Sequence, residues 1–353
     1  MSSQESARPD QPKKHTLYAV YDLAVSPITF DVLQFLQCAE IYRRHIGFSR
    51  LSIVFVLGPD RQFRRATPKD EAVDIPDKYW RLRHIHMEAA WLLKSCTGVN
   101  VFVDRAEAQR LLQNVPDSHI FPPQYKLASP KWIFMVVNVL SLFRRSKISP
   151  IVFEATEAAL RSVDRWIEHN GLTKPIVSLT LRHSVYEADR NADVGAWNTF
   201  ARTLRERGFD PVFVPDTDQA AIANTEDYQT EFPHYWPGPV NLELRAALYR
   251  RSHICMSDNG AAAFIHHWMP NCHSIIFQPP SKIPGVFRRT QEGQAGIERV
   301  LGIKVGEQLP YCSPTQRIAW VDDTYENLLA EFDRLEALIA GAPQPDMVPG
   351  ADA

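Results

Sequence analysis

Apolar and polar segments alternate along the chain in a way that predicts strands and helices in turn. Short apolar runs predict strands at residues 15–21, 51–57, 99–103, 176–181, 211–214, 253–256 and 274–277. Apolar residues at helical spacing predict helices at residues 29–45, 79–95, 156–169, 196–207, 242–251, 260–268 and 325–339. Because strands that alternate with helices form parallel sheets, the pattern predicts an α/β protein with two Rossmann-like domains facing a cleft.

The pattern begins again after a break near residue 150. We therefore expect an N-terminal Rossmann-like domain over residues 15–150 and a C-terminal one over residues 151–340. Residues 1–14 are polar and residues 341–353 are rich in Ala, Pro and Gly, so both ends are predicted to be disordered tails.

Composition narrows the class of protein. The 353 residues are 45% hydrophobic and 23% charged, which is ordinary for a globular chain. Lys and Arg number 39 against 41 Asp and Glu, so the chain lacks the basic excess of a nucleic-acid-binding protein. The five cysteines are scattered without a CxxC pair, which favours a reducing compartment over a disulfide framework or a zinc ribbon.

Hydropathy bears on membrane contact. The first 14 residues contain no apolar core of a signal peptide, which favours a cytoplasmic protein. The most apolar stretch, residues 132–143, is about half the length that a spanning helix requires, so a buried helix is expected there. Arg144 and Arg145 follow it, and peripheral contact with the inner face of a membrane is the alternative.

Polar residues follow the strand predicted at 176–181, at the edge where parallel sheets bind ligands. This loop supplies candidate ligand-binding residues: Arg182, His183, Ser184, Arg190 and Asn191. Guanidinium groups match phosphate oxygens, so the loop is a candidate phosphate site. The alternative is a surface loop with Arg and Asp pairs.

Two further loops follow predicted strands of the second half. Asp216 to Asp218, after residues 211–214, are candidates for sugar or ribose hydroxyls, or for the cap of the next helix. The turn Ser257, Asp258, Asn259 and Gly260 enters the helix predicted at 260–268, and backbone NH groups at a helix start suit a diphosphate. Alternatively, Gly260 serves only close packing of the helix.

Several common motifs are absent from the sequence. It contains no GxxxxGK[ST], GxGxxG, HExxH or GxSxG motif, which argues against kinase, dehydrogenase, zinc-protease and serine-hydrolase chemistry. The pairs His84 with His86 and His266 with His267 have a spacing that suits a metal poorly on helices. We expect neither a metal nor a cofactor.

The order of the three loops along the chain resembles that of a known family of enzymes. The segments "LRHS" at 181–184, "PDTD" at 215–218 and "SDNG" at 257–260 resemble GT-B glycosyltransferases of the fucosyltransferase type, and "SDNGAAAFIHHWMPNCHSIIF" is similar to the donor-site segment of heptosyltransferase-like enzymes. One arginine and a histidine stand where the fucosyltransferase pattern has two arginines.

The resemblance implies a glycosyltransferase with a nucleotide-sugar donor held by the second half and a glycan or glycolipid acceptor held by the first. It also implies metal-independent transfer with an acidic base near the first helix. Asp31 has a comparable place, with Asp22 as the second choice. Asp31 alternatively serves only as a charge at a helix N-terminus.

Two other functions fit the same shape. A nucleotide-sugar epimerase would need paired carboxylates facing one sugar. A non-catalytic sugar- or nucleotide-binding protein would need no base.

Overall fold

The computed structural model describes residues 13–66, 70–71, 73–131, 134–184, 188–217, 231–279, 282 and 298–341. Within them the chain forms two separate sheets, and every strand pair in both is parallel. The predicted α/β class and its division into two sheets are confirmed.

The first sheet has the strand order β3-β2-β1-β4. Its strands are β1 (Lys13–Asp22), β2 (Phe48–Val56), β3 (Cys96–Phe102) and β4 (Ile120–Phe121). The helices of this half are α1 (Val32–His45), α2 (Ile75–Arg81), a π-helical segment (Leu82–Met87), α3 (Glu88–Trp91), α4 (Arg105–Gln113) and α5 (Val136–Ser146).

The second sheet has the order β6-β5-β7-β8-β9. Its strands are β5 (Ile176–Thr180), β6 (Asp210–Val214), β7 (Ile254–Ser257), β8 (Ser274–Phe277) and β9 (Gln316–Ala319). The helices of this half are α6 (Glu157–His169), α7 (Val194–Glu206), α8 (Leu242–Arg251), α9 (Phe264–His267) and α10 (Tyr325–Gly341).

Local hydrogen bonds, a side-chain cap in one case and a backbone turn in the other, accompany the starts of two helices that depart from the prediction. The helix predicted from residue 79 begins at Ile75, because the Asp74 side chain accepts a hydrogen bond from the Asp77 NH at 2.7 Å and caps it. The helix predicted from residue 29 begins at Val32, after a turn in which the Val32 NH donates to the Thr29 carbonyl.

Two predicted boundaries of the disordered tails are wrong. Lys13 and Lys14 belong to β1 rather than to a tail, and Gly341 is the last residue of α10. The rest of the predicted tails, residues 1–12 and 342–353, lie outside the described residues.

The apolar face of α5 is covered by protein. Val136, Val139 and Leu140 are buried, and a Cβ on Gly302 would lie 3.0 Å from the Leu140 side chain. The Phe143 ring contacts the Tyr311 ring with centroids 5.5 Å apart. Of the buried helix predicted at 132–143, residues 136–143 are helical with a buried apolar face, and residues 132 and 133 lie outside the described residues.

The segment that joins the two halves is hydrogen-bonded to both. The Pro150 carbonyl accepts from the Gln37 side chain at 2.7 Å, and the Glu154 NH donates to the Leu92 carbonyl at 2.8 Å. On the other side, the Phe153 NH donates to the Trp268 carbonyl at 3.2 Å. One cluster of buried apolar side chains includes residues of both halves, with Phe153 and Trp268 among them.

Candidate functional site

The strand order of the second sheet identifies the place where a ligand would bind. The chain places β6 on one side of β5 and then β7 on the other, so the direction in which the sheet grows reverses between β5 and β7. In open parallel sheets the ligand crevice lies at such a reversal, beyond the carboxyl ends of the strands. The loops after β5 and β7 contain the residues singled out in the sequence.

These two loops are in direct contact. The Arg182 NH, after β5, donates to Asp258 Oδ2, after β7, at 2.7 Å. Asp258 Oδ1 accepts from the Gly260 NH at 3.1 Å, and a Cβ on Gly260 would lie 3.6 Å from the Arg182 Cβ. The structure therefore brings Arg182, Asp258 and Gly260 together at one edge.

Asn191 folds the first loop back on itself. Its Oδ1 accepts from the Arg182 guanidinium and, at 3.0 Å, from the Ser184 NH. Its amide nitrogen donates to the Ser184 carbonyl at 3.1 Å. Residues 185–187 lie outside the described residues, but their flanking residues are held close to the sheet edge.

Asp216 joins the loop after β6 to the same edge. Its Oδ2 accepts from the His183 NH at 3.0 Å, and its Oδ1 accepts from the Thr217 NH at 2.6 Å. Asp218, the third predicted residue of this loop, lies outside the described residues. The loops after three neighbouring strands thus meet through backbone-to-carboxylate hydrogen bonds.

Lys282 is a part of this site that the sequence analysis missed. Its carbonyl accepts from the Arg190 Nε at 3.2 Å and from the Asn259 side-chain amide at 3.0 Å. Its Nζ donates to the Asn191 carbonyl at 3.0 Å and contacts Asp323 Oδ1 at 2.5 Å. Since Lys282 follows β8, the rule that located the other loops applies to it as well.

Asp323 anchors Lys282 and the start of α7. Besides Lys282, it accepts from the Asp193 NH and from the Trp197 indole, both at 3.0 Å. Burial alone would raise the pKa of Asp323, but the hydrogen bonds from Lys282, Asp193 and Trp197 outweigh it, and the pKa is lowered. The carboxylate is a fixed negative charge below the loop of Arg190.

The pKa of Asp258 is shifted in the opposite direction. Its burial, opposed by the hydrogen bond from the Arg182 NH and supported by the nearby charges of Asp216 and Asp323, raises its pKa to about 7. A carboxyl in this state is partly protonated near neutral pH, which lowers the negative charge that Asp258 itself adds to this edge.

The helix predicted at 260–268 is much shorter in the structure. A 3₁₀ turn over Ala261–Ala263 leads into α9, which has only four residues. Because the helix dipole grows with aligned peptide units, the dipole at the start of this segment is weaker than that of a continuous α-helix, and the predicted diphosphate site there stays a prediction. The Gly260 NH is also already bound to Asp258.

The contacts around Gly260 do not require a glycine for close packing of the helix. A Cβ there would meet Asp258 Oδ1 at 3.4 Å and the Arg182 Cβ at 3.6 Å, which are ordinary contacts, and the backbone is outside the left-handed region. Ser257, the last residue of β7, is buried, and its hydroxyl contacts His266 Nε2 at 3.1 Å.

Three buried polar atoms at this edge have no hydrogen-bond partner among the described residues. They are Thr217 Oγ1, Asn259 Oδ1 and Arg245 Nη1. Buried polar groups in folded proteins are nearly always hydrogen-bonded. Unpartnered buried atoms also occur elsewhere among the described residues, for example Gln34 Oε1 and Gln37 Oε1 in the first half. Two acceptor-capable oxygens and one cationic donor at one sheet edge are suited to a ligand with hydroxyl groups and negative charge.

In the first sheet, the corresponding crevice lies between β1 and β4 and is occupied by the protein itself. Asp22, at the end of β1, forms two hydrogen bonds with the Arg105 guanidinium at 3.0 and 2.9 Å. The Tyr125 hydroxyl donates to it at 2.6 Å, and Arg105 also donates to the Leu57 and Leu127 carbonyls. The Asp22 carboxylate is buried in a complete internal network.

Asp31, the other predicted base, has a different environment. It stands at the N-cap of α1, but its side chain accepts no helix NH. Its Oδ2 accepts from the Thr29 hydroxyl at 2.6 Å, and the side chain is half-buried. Burial, followed by the charge of Asp31, raises the pKa of Tyr21, which places the two groups close together.

The histidine pairs do not form a metal site. His86 is buried between the Tyr21 and Phe55 rings, and burial lowers its pKa to about 3, whereas the His84 ring contacts the Val240 carbonyl. Burial also lowers the pKa of His267 to about 3. In the part of the chain that the structure describes, no three His, Cys, Asp or Glu side chains are grouped for a metal ion.

None of the helices among the described residues combines the length and the apolar character that crossing a bilayer requires.

The chain matches no protein-family model and no curated protein. Its fold, in contrast, is similar to solved structures. A glycosyl transferase family 9 protein of Veillonella parvula is 10% identical with a TM-score of 0.52, and the match covers 93% of this chain and 99% of that one. The ADP-heptose LPS heptosyltransferase II of E. coli is 11% identical with a TM-score of 0.53, over 92% of this chain and 100% of that one.

At these identities the likeness concerns the fold. Both matches extend over almost the whole chain, so they include both parallel sheets and the segment that joins them. The chain therefore has the GT-B fold of two Rossmann-like domains, as the order of its loops predicted.

Proposed function

We propose that the protein is a glycosyltransferase that moves a sugar from a nucleotide-activated donor to a glycan or glycolipid acceptor without a metal. The observation that carries the proposal is the meeting of Arg182, Arg190 and Lys282 at the β5/β7 reversal of a GT-B fold. The E. coli relative by fold is named for an ADP-heptose donor, which is of this substrate class.

In the proposed donor site, the second half of the chain, residues 151–340, holds the nucleotide sugar. The side chains of Arg182 and Arg190 bind the diphosphate, and Lys282 holds the Arg190 loop in place. The unpartnered Thr217 Oγ1 and Asn259 Oδ1 accept hydrogen bonds from ribose or sugar hydroxyls. His183, Ser184, Asn191, Asp216 and Ser257 support these loops.

The first half, residues 15–150, is proposed to hold the acceptor and the base. The acceptor hydroxyl oxygen attacks the anomeric carbon, the bond from that carbon to the phosphate oxygen breaks, and the nucleoside diphosphate leaves with the electron pair. A base takes the hydroxyl proton. Asp31 is favoured for this role over Asp22, because Asp22 is already bound to Arg105 and Tyr125.

We also propose that the protein acts in the cytoplasm. All five cysteines are free, including Cys255 and Cys272 with their sulfurs 3.6 Å apart, as expected in a reducing compartment. Exposed Arg144 and Arg145 at the end of α5 would contact anionic head groups at the inner face of the membrane. Co-sedimentation with phosphatidylglycerol vesicles, lost in a double alanine variant, tests that contact.

The test of the function is release of nucleotide from a panel of ADP-, GDP- and UDP-sugars, with and without glycan and glycolipid acceptors. We expect one donor to release its nucleoside diphosphate in proportion to acceptor glycosylated. Arg182→Ala should weaken donor binding and lower turnover, because the guanidinium faces charge that grows as the diphosphate leaves. Conversion of the sugar without an acceptor would instead indicate an epimerase, and binding without turnover would indicate a binding protein.

A further inference from the structure

Arg245 is a fully buried arginine in α8 for which neither the fold nor the sequence motifs account. Its side chain has no exposed surface, and it is among the largest side chains so enclosed. Its Nε donates to the Tyr249 hydroxyl at 3.0 Å and its Nη2 to the Pro215 carbonyl at 3.3 Å. Nη1 has no partner within the described ranges.

Both hydrogen-bond acceptors of this guanidinium are neutral. Its hydrogen-bond acceptors are a phenol and a backbone carbonyl, and among the described residues it forms no ion pair with any Asp or Glu. The nearby His266 is uncharged, because its burial, with smaller effects of His267 and Arg245, holds its pKa well below the ordinary value. A guanidinium keeps its charge in proteins, so Arg245 is a buried cation without a counter-ion.

Its position connects it to the proposed donor site. Pro215, which accepts from Nη2, directly follows β6 and precedes Asp216. Tyr249 contacts the hydroxyl of Thr180, the last residue of β5, at 2.8 Å, and Arg182 is two residues further on. The charge therefore lies just below the loops that follow β5 and β6.

Burial of a charge without a counter-ion costs several kcal/mol in a typical protein. A chain keeps such a group at little net cost when a ligand of opposite charge binds beside it. In a poorly polarisable interior the attraction also acts over a longer distance than in water, so direct contact is not required.

We propose that Arg245 is the buried counter-charge for the diphosphate of the donor. The inference rests on the proposed function, because it takes the β5/β7 edge as the donor site. It adds a distinct claim. Part of the affinity for the diphosphate comes from the buried charge of Arg245 in α8, and not only from Arg182 and Arg190 on the loops.

The test compares wild-type protein with Arg245→Met, which keeps the bulk of the side chain and removes its charge. Calorimetry measures binding of ADP, GDP and UDP, and of the matching nucleosides. We expect Arg245→Met to bind the preferred nucleoside diphosphate about tenfold or more weakly and the nucleoside with unchanged affinity. Without ligand, its thermal midpoint should equal or exceed that of the wild type, since a buried unpaired charge is gone.

Arg245→Lys is the second variant, and Arg43→Met is the control. Lysine restores a charge, so its diphosphate affinity should lie within about threefold of wild type. Arg43 pairs with Glu40 in the first half, so its loss should lower stability and leave diphosphate affinity unchanged. Together these results separate charge from packing and from general loss of stability.

Three outcomes overturn the inference: equal diphosphate affinity of Arg245→Met and wild type, an equal loss for nucleoside and diphosphate, or a loss in Arg245→Lys as large as in Arg245→Met. If Arg245→Met does not fold, Arg245→Gln, which also removes the charge, replaces it and should show the same selective loss of diphosphate affinity. Failure of the wild-type protein to bind any nucleoside diphosphate would instead refute the proposed function itself.

Discussion

The two sheets differ in what occupies the crevice at their carboxyl edges. In the first sheet, Asp22 fills it through a closed network with Arg105 and Tyr125. In the second sheet, the loops meet through backbone NH groups and carboxylates, and Thr217 and Asn259 retain buried oxygens without partners among the described residues. The same topological position is thus filled by a closed hydrogen-bond network in one half, whereas in the other half two buried oxygens have no partner among the described residues.

The comparison teaches that a polar residue at a strand end indicates a ligand site or a structural contact only when the groups around its side chain are known. Asp22 and Asp258 both follow a parallel strand and are both buried. Asp22 faces a cation, whereas Asp258 faces the carboxylates of Asp216 and Asp323. The first arrangement stabilises the fold, and the second raises the pKa of Asp258, so that a proton relieves the repulsion between the carboxylates.

The largest expected effect tests the structural role of the first crevice. Asp22→Ala leaves the Arg105 guanidinium without its buried partner, so we expect a loss of about 3 kcal/mol in the free energy of unfolding. Denaturant titration measures it. As a control, Asp164→Ala removes an exposed ion pair with Arg251 and should cost about 0.5 kcal/mol or less. Equal losses in the two variants would contradict a structural role for Asp22.

The next effect concerns catalysis in the first half. Asp31→Asn should leave donor affinity nearly intact while turnover falls about a hundredfold or more, because a base acts on the acceptor alone. Calorimetry and nucleotide release measure the two quantities. If Asp31→Asn keeps normal turnover and a folded Asp22→Asn abolishes it, the base is Asp22, and the contrast between the crevices fails.

A third prediction uses the pH dependence of the second crevice. The pKa of Asp258 is higher in the folded chain than its ordinary value of 3.8, so its contribution to stability is full below that value and is lost as pH rises to about 7. Asparagine does not titrate. Relative to wild type, Asp258→Asn should therefore gain about 2–3 kcal/mol in the free energy of unfolding between pH 5 and pH 8.

Asp323 provides the control of opposite sign. Its pKa is lowered, so its contribution is present above its ordinary value and is lost as pH falls through the folded value. Denaturant titrations of Asp323→Asn should show a deficit at neutral pH that shrinks in acid. A pH-independent difference between Asp258→Asn and wild type would show that Asp258 is an ordinary carboxylate.

The smallest expected effect separates ligand space from packing at Gly260. Alanine there meets only ordinary contacts, so the free energy of unfolding of Gly260→Ala should lie within about 1 kcal/mol of wild type. Its affinity for the donor should nevertheless fall about tenfold, because the added methyl group lies over the site. Gly302→Ala is the inverse control. Its Cβ would lie 3.0 Å from Leu140 at a φ of +74°, so stability should fall while donor affinity stays.

The sequence predicted the elements whose apolar pattern is visible. The strand at 274–277 and the helix at 242–251 have the predicted bounds. Short or polar strands were not predicted. Strand β4 has only two residues, and β9 contains Gln316 and Arg317. The Gln316 amide is buried because it donates to the His267 and Met269 carbonyls, a partnership that no pattern along the chain reveals.

The sequence likewise predicted some residues of the candidate site and missed others. The rule that ligands bind beyond strand ends located Arg182, Asp216 and Asp258, and the structure brings them into contact. The same rule did not identify Lys282, because no helix-like pattern follows Lys282 in the sequence. Arg245 lies inside a helix, where an arginine is ordinarily solvated, and only its enclosure distinguishes it.

The joining segment has a consequence for cooperativity. Because residues 150–154 are hydrogen-bonded to both halves and one apolar cluster includes both, neither half can lose its packing without exposing part of the other. Separately expressed halves would each present the apolar surface that the other now covers. We therefore expect the two halves to unfold together, in one denaturant transition, despite having a sheet each.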